Sequence, residues 1–336
     1  MKIGSALAAA LTGAALLAGP AAASAACSVK PFAMPVKMEG LSPTITAKVN
    51  GKDTTFLLDS GAFFNGISSR FAGDQKMKAA RTIDPTGSRL QQDAASVITG
   101  AGGRNKVSAL VQADEFQFAG MAFKNVVFVT VNLDHGGILG QNFLNLTDVE
   151  YDFAHGVMNM VVAEGCKDAN LAYWATGGVY SVLPMERDEG GAQQAVGMVV
   201  INGAKMRAVF DTGAAVSFIT QRAAARAGVK TTDPGVQSAG YSRGVDRDNI
   251  KTWGARFASV KIGDEEITNG LLRIGETNAD FFDILIGADF FLSHRVYVAN
   301  SQKKIYFTYN GGGPVFNVAI EKEAPAPAGN TAGKGN

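Results

Sequence analysis

The chain has 336 residues, 46% of them hydrophobic, with 31 Lys and Arg against 30 Asp and Glu. This balance, without runs of like charge, gives no support for binding nucleic acid or for steering onto an anionic membrane. The length favours two domains, and the 40 glycines among short Val, Ile and Phe runs favour strands and tight turns over long helices.

The chain begins with Lys2, an Ala/Leu-rich run from Ile3 to about Ala18, a Gly19-Pro20 break and the small residues Ala23-Ser24-Ala25. This pattern reads as a secretory signal peptide over residues 1–25. The run is too short and too interrupted for a comfortable membrane span, and no later segment supplies one. An exported protein without stable membrane insertion is expected, periplasmic first and secreted second. Only two cysteines follow, Cys27 and Cys166. In an oxidising compartment the simplest reading is one disulfide. The alternatives are two free thiols or a lipid-modified Cys27, the latter disfavoured by Ser24, where a lipoprotein signal carries a large aliphatic residue.

The rest of the chain repeats itself. The segment Thr44–Ala62 and the segment Val196–Ala214 each read as a strand, an Asn-Gly turn, a second strand and an Asp-Ser/Thr-Gly-Ala corner. Asn50 precedes Asp59 by nine positions, and Asn202 precedes Asp211 by nine. Downstream, Ile138-Leu139-Gly140 answers Leu285-Ile286-Gly287, 81 and 76 positions after the respective aspartates. A short strand pair follows each. Two copies of one β-rich unit explain this pattern. The expected division is a first lobe over 26–165, a linker over 166–181, a second lobe over 182–310 and a disordered tail over 311–336.

Each aspartate ends an apolar strand, Phe56-Leu57-Leu58-Asp59 and Ala208-Val209-Phe210-Asp211, where water is scarce. Two such carboxyls facing each other cannot both ionise, so the pair shares a proton. One can then take a proton from a trapped water while the other polarises a carbonyl. Ser60 and Thr212 offer hydroxyls to the local network, and Gly61 and Gly213 let backbones approach closely.

With these motifs the chain resembles the retropepsin-like aspartic proteases, in their bacterial exported branch with two lobes in one polypeptide. The resemblance spans about residues 33–161 and 182–309. It implies an all-β fold of two barrel-like lobes with a cleft between them. It also implies an endopeptidase without metal or other cofactor, acting on a polypeptide substrate, with Asp59 and Asp211 as catalytic pair. Ser60, Gly61, Ala62, Thr212, Gly213 and Ala214 would support that pair. The family's glycine-rich flap would correspond to Gly100, Gly102 and Gly103 in the first copy and to Gly240 and Tyr241 in the second; ordinary β-turns are the plainer reading. A monomer with its lobes paired within the chain is expected, with pairing between chains as the variant.

Other chemistries find little footing. His135, His155 and His294 lie far apart without ligand spacing. There is no Gly-x-Ser-x-Gly elbow, and the Gly-Ala-Gly-Gly run lacks the Gly-Lys-Ser/Thr of a phosphate loop. Tyr173, Trp174 and Tyr180 read as inter-lobe packing, with substrate contact as the alternative. The rival functional reading is a non-catalytic peptide-binding module of the same fold.

Overall fold

A computed structural model of the protein describes residues 27–80, 98–99, 105–106, 109–133, 136–186, 194–244, 249–312 and 315–317. The expected signal segment therefore lies outside the described residues, as do Gly100, Gly102, Gly103, His135 and most of the expected tail.

The first repeat opens with β1 (Ser28–Pro35), β2 (Lys37–Glu39), β3 (Ser42–Val49), β4 (Lys52–Leu58) and β5 (Gly66–Ser68). A short helix α1 (Ser69–Asp74) leads to β6 (Lys78–Ala79), β7 (Ile98–Thr99) and β8 (Asn105–Lys106). Then come β9 (Leu110–Phe118), β10 (Met121–Val131), β11 (Gly137–Leu139), α2 (Gln141–Leu144), β12 (Asp148–Asp152) and β13 (Val157–Glu164). The second repeat opens with β14 (Ser181–Pro184), β15 (Val196–Ile201), β16 (Ala204–Phe210), β17 (Phe218–Thr220) and α3 (Gln221–Arg226). It continues through β18 (Gln237–Arg243), β19 (Asn249–Ile262), β20 (Glu265–Gly275) and β21 (Ile284–Ile286). It closes with α4 (Ala288–Ser293), β22 (His294–Ala299) and β23 (Lys304–Tyr309).

Each repeat closes a six-stranded barrel. In the first the order is β3-β4-β11-β5-β10-β9, with β9 returning to pair β3; in the second it is β15-β16-β21-β17-β20-β19, with β19 returning to β15. The Asn-Gly turns help make the closure. Asn50 and Gly51 take φ of 49° and 78°, Asn202 and Gly203 φ of 47° and 84°, the left-handed values a tight hairpin needs. Asn50 Oδ1 accepts the Glu115 N–H of β9 at 3.0 Å, and Asn202 Oδ1 accepts the Ser259 N–H of β19 at 3.1 Å. The asparagine thus caps its hairpin and stitches it to the strand that completes the barrel. Inside the first barrel Phe56, Phe116 and Phe128 are fully buried, with Phe116 5.3 Å from each of the other two rings. Burial of each such side chain contributes about 2–3 kcal/mol.

The lobes are joined by a third sheet, ordered β1-β13-β12-β22-β23-β14. Its centre is the antiparallel pairing of β12 with β22, Glu150 opposite Tyr297, so the sheet is pseudo-symmetric about the lobe boundary. A disulfide links Cys27 to Cys166, fastening the start of β1 beside the end of β13 as the simplest sequence reading expected. The segment between the lobes packs on this sheet. Trp174 donates its Nε1–H to Thr308 Oγ1 at 2.9 Å and stacks on Tyr297, while the Arg295 guanidinium lies 4.9 Å over the Trp174 ring. Tyr173 donates its hydroxyl to the buried Glu150, and Tyr180 lies against Tyr306. All three aromatics belong to inter-lobe packing.

One boundary differs from the sequence reading. Within the stretch expected as tail, Phe316 is fully buried: it stacks on Phe290, and its carbonyl accepts the Leu271 N–H of β20. The Gly311–Pro314 run that suggests an end to the lobe is followed by one more aromatic plug for the second barrel.

Candidate active site

Asp59 follows β4 and Asp211 follows β16. Each main chain is fixed by its downstream aliphatic-Gly strand, which lies parallel to the aspartate strand: Asp59 N–H donates to Leu139 O at 3.0 Å, and Asp211 N–H to Ile286 O at 2.9 Å. The glycine after that strand lets the corner pass over it. A Cβ on Gly287 would lie 2.6 Å from the Ala214 carbonyl oxygen, closer than real side chains come.

The two corners interlock across the lobe boundary. Thr212 Oγ1 accepts the Ser60 N–H at 3.0 Å and donates to Leu58 O at 2.7 Å. Reciprocally, Ser60 Oγ accepts the Thr212 N–H at 2.9 Å and donates to Phe210 O at 2.8 Å. All four bonds are buried, so each hydroxyl satisfies backbone groups that water cannot reach. The next residue brings the carboxyls together. A Cβ on Gly61 would sit 2.3 Å from the Asp211 carboxyl carbon, and one on Gly213 would sit 2.3 Å from that of Asp59. Only glycine permits this approach.

The carboxyl groups hydrogen-bond to each other. Asp59 Oδ1 also accepts from Gly61 N at 3.0 Å and Ala62 N at 2.8 Å, and Asp211 Oδ1 accepts from Gly213 N at 2.9 Å. Burial, then the charge of Asp211 and the hydrogen bond to it, hold Asp59 well above the usual carboxylate range. Burial also raises Asp211, but the bond from Asp59 and the N–H groups of Gly213, Ala214 and Gly61 pull it back. Burial thus raises both carboxyls, so the neutral form of each is favoured over what it would be in water.

A family model described as an aspartyl protease matches residues 45–143, and one described as a gag-polyprotein putative aspartyl protease matches residues 198–293. The two matches fall in tandem, one on each barrel. The chain belongs to the retropepsin-like aspartyl protease family. No curated protein matches it.

Around the aspartyl protease corners are residues the sequence reading passed over. Asn65 N–H donates to Asn142 Oδ1 at 2.9 Å and Asn65 Oδ1 accepts the Gly140 N–H at 2.8 Å. In the second lobe Ser217 N–H donates to Asp289 Oδ1 at 2.9 Å and Ser217 Oγ accepts the Gly287 N–H at 2.9 Å. The signal was in the repeat: Asn65 and Ser217 each stand six positions after their aspartate, Asn142 and Asp289 each two after their glycine. Other supports break the symmetry. Gln141 Nε2 donates to Ser60 O at 2.7 Å, where the second lobe has Ala288. Gln194, from the second lobe, donates its Nε2–H to the carbonyl of Gly61 in the first.

The flap candidates divide. Gly100, Gly102 and Gly103 lie outside the described residues, but the flanking β7 and β8 pair antiparallel, Ile98 with Lys106 and Thr99 with Asn105. Gly240 and Tyr241 sit within β18, at a register shift against β19 between Ser238 and Tyr241, and not in the turn of that hairpin. Gly240 there takes φ of +67°, and Tyr241 is exposed. The histidines are dispersed: His155 bonds Asp152, and His294 is buried between Phe290 O and Glu265.

Proposed function

We propose that the protein is an aspartic endopeptidase in which Asp59 and Asp211 act as one dyad on an exported polypeptide. The observation that carries this reading is the reciprocal approach of Gly61 to Asp211 and of Gly213 to Asp59, which puts two buried carboxyls in hydrogen contact. In the reaction the ionised member of the pair takes a proton from a water held between the carboxyls. That water's oxygen attacks the scissile carbonyl carbon, and the protonated partner gives its proton to the carbonyl oxygen. Collapse of the tetrahedral intermediate breaks the C–N bond: the carboxyl that took the water's proton gives it to the leaving amine, and one hydroxyl of the intermediate returns its proton to the partner carboxylate, leaving a carboxylic acid and the starting pair. Export is supported by the Cys27–Cys166 disulfide, which persists in an oxidising compartment, and among the described residues no helix is long and apolar enough to cross a membrane.

The test is cleavage of a diverse peptide library by the protein across pH, read by mass spectrometry. One shared proton gives a bell-shaped rate with its optimum on the acidic side of neutrality. A rate that climbs steadily into alkaline pH would contradict the dyad.

A further inference from the structure

The carbonyl of Gly61 stands at the edge of the paired carboxyls. Gly61 is part-exposed, its backbone touches Asp211, and its N–H is already committed to Asp59. An extended peptide whose scissile carbonyl reaches the carboxyls comes beside this corner, whose carbonyl is a backbone acceptor suited to a backbone N–H. In the structure that acceptor is taken, because Gln194 Nε2 donates to it from the opposite lobe.

The placement of Gln194 is built into the second barrel. Val196 lies opposite Val209 in the β15–β16 ladder, and Phe210 N–H donates to Ala195 O at 2.9 Å. Continuing that register sets Gln194 opposite Asp211. It thus stands just ahead of the strand that pairs with β16, on the side of one aspartate, while its side chain reaches the corner of the other. The side chain is buried, at 7% exposure. The first lobe has no counterpart. Aligning Asn50 with Asn202 places Ser42 at the equivalent position, and six residues separate β1 from β3, against eleven between β14, its counterpart on the shared sheet, and β15. Among the described residues no side chain reaches the carbonyl of Gly213.

A primary carboxamide offers the same N–H donor as a peptide bond. Resting on the reading of the cleft as a polypeptide site, we propose that Gln194 is a specificity-determining residue that occupies the Gly61 acceptor until a substrate backbone N–H displaces it. Only rotation of the Gln194 side chain is required, since the next residue, Ala195, is fixed by the Phe210 N–H. The two corners are consequently asymmetric: among the described residues no side chain donates to the Gly213 carbonyl, whereas the Gly61 carbonyl is engaged only by peptides that complete the exchange.

The experiment uses Asp59→Asn protein, so that binding is read without turnover, and fluorescently labelled oxidised insulin B chain as the extended polypeptide. Its affinity is measured by anisotropy for Asp59→Asn alone and combined with Gln194→Ala or with Gln194→Met, which keeps bulk but cannot donate. Both double variants should bind roughly three- to tenfold more tightly, the scale of one neutral hydrogen bond no longer competed for. Unchanged or weaker binding overturns the proposal, as does tightening with Ala but not with Met, which would mean steric blocking. Absence of binding in all three counts against the polypeptide cleft itself. Cleavage of the same chain by the unsubstituted protein is scored separately. Cleavage with unchanged affinities retains the protease reading and removes the Gln194 exchange; tighter binding without cleavage does the reverse.

Discussion

Ser60 and Thr212 complete each other's backbone across the lobe boundary, each hydroxyl accepting the other residue's N–H, at 3.0 and 2.9 Å. Neither aspartate-bearing corner is satisfied by its own lobe. Replacing Thr212 with Ala leaves the Ser60 N–H and the Leu58 carbonyl buried without partners, and two such groups cost about 2–4 kcal/mol. Thr212→Ser keeps the hydroxyl and should stay within about 1 kcal/mol of the parent. Denaturant midpoints measure both, and a Thr212→Ala chain as stable as the parent would contradict the interlock.

Behind the second corner Asp289 is buried and accepts from Ser217 N, Ser217 Oγ and Phe290 N. Burial outweighs these bonds and pushes its carboxyl from 3.8 up to about 6. Because the folded chain holds this proton more tightly than the unfolded one, its contribution is fully present below the unfolded value and is lost as pH rises through about 6. The first lobe carries Asn142 at the matching place. Asp289→Asn should therefore fold, match the parent below pH ~4, and exceed it at pH ~7 by on the order of 3 kcal/mol. Equal pH dependence of the two unfolding curves between those limits would refute this.

The disulfide closes a sequence separation of 139, and loop entropy of that length is worth up to about 5 kcal/mol. β1 is also held to β13 along eight residue pairs, so the first lobe should survive reduction at lower stability instead of unfolding. Thermal scans with and without reductant test this. A reduced protein with an unchanged midpoint would show that the strand pairing alone sets the stability.

Much of this was legible because the chain says it twice. The Asn-Gly turns, the Asp-Ser/Thr-Gly corners and the aliphatic-Gly segments carry local chemistry at fixed spacing, and all six took the backbone roles that chemistry demands. What stayed hidden depends on contacts between distant segments. Gln194 precedes a strand with no motif of its own, and its partner Gly61 is 133 positions away. Tyr151 is equally silent in sequence: burial pushes its phenol well up, beside the Ser60 hydroxyl. Phe316 looked like tail because glycines precede it. The helices α1 and α3 were missed although Ser68 and Thr220 cap them, accepting from Phe71 N and Ala223 N, because six-residue helices show too few turns for a periodic pattern.

If one carboxyl from each lobe acts with the other as a unit, kcat of the single and double aspartate variants will show it. Neither group can be acid and base at once, so Asp59→Asn and Asp211→Asn should each lower kcat for peptide cleavage by several orders of magnitude. The double variant should be hardly worse than either single one, the non-additivity of groups that work together. Circular dichroism should show the fold intact, since an amide replaces one member of a repelling pair without leaving a cavity. If Asp211→Asn kept activity near that of the parent while Asp59→Asn abolished it, the second lobe would be scaffold and the dyad assigned here would be wrong.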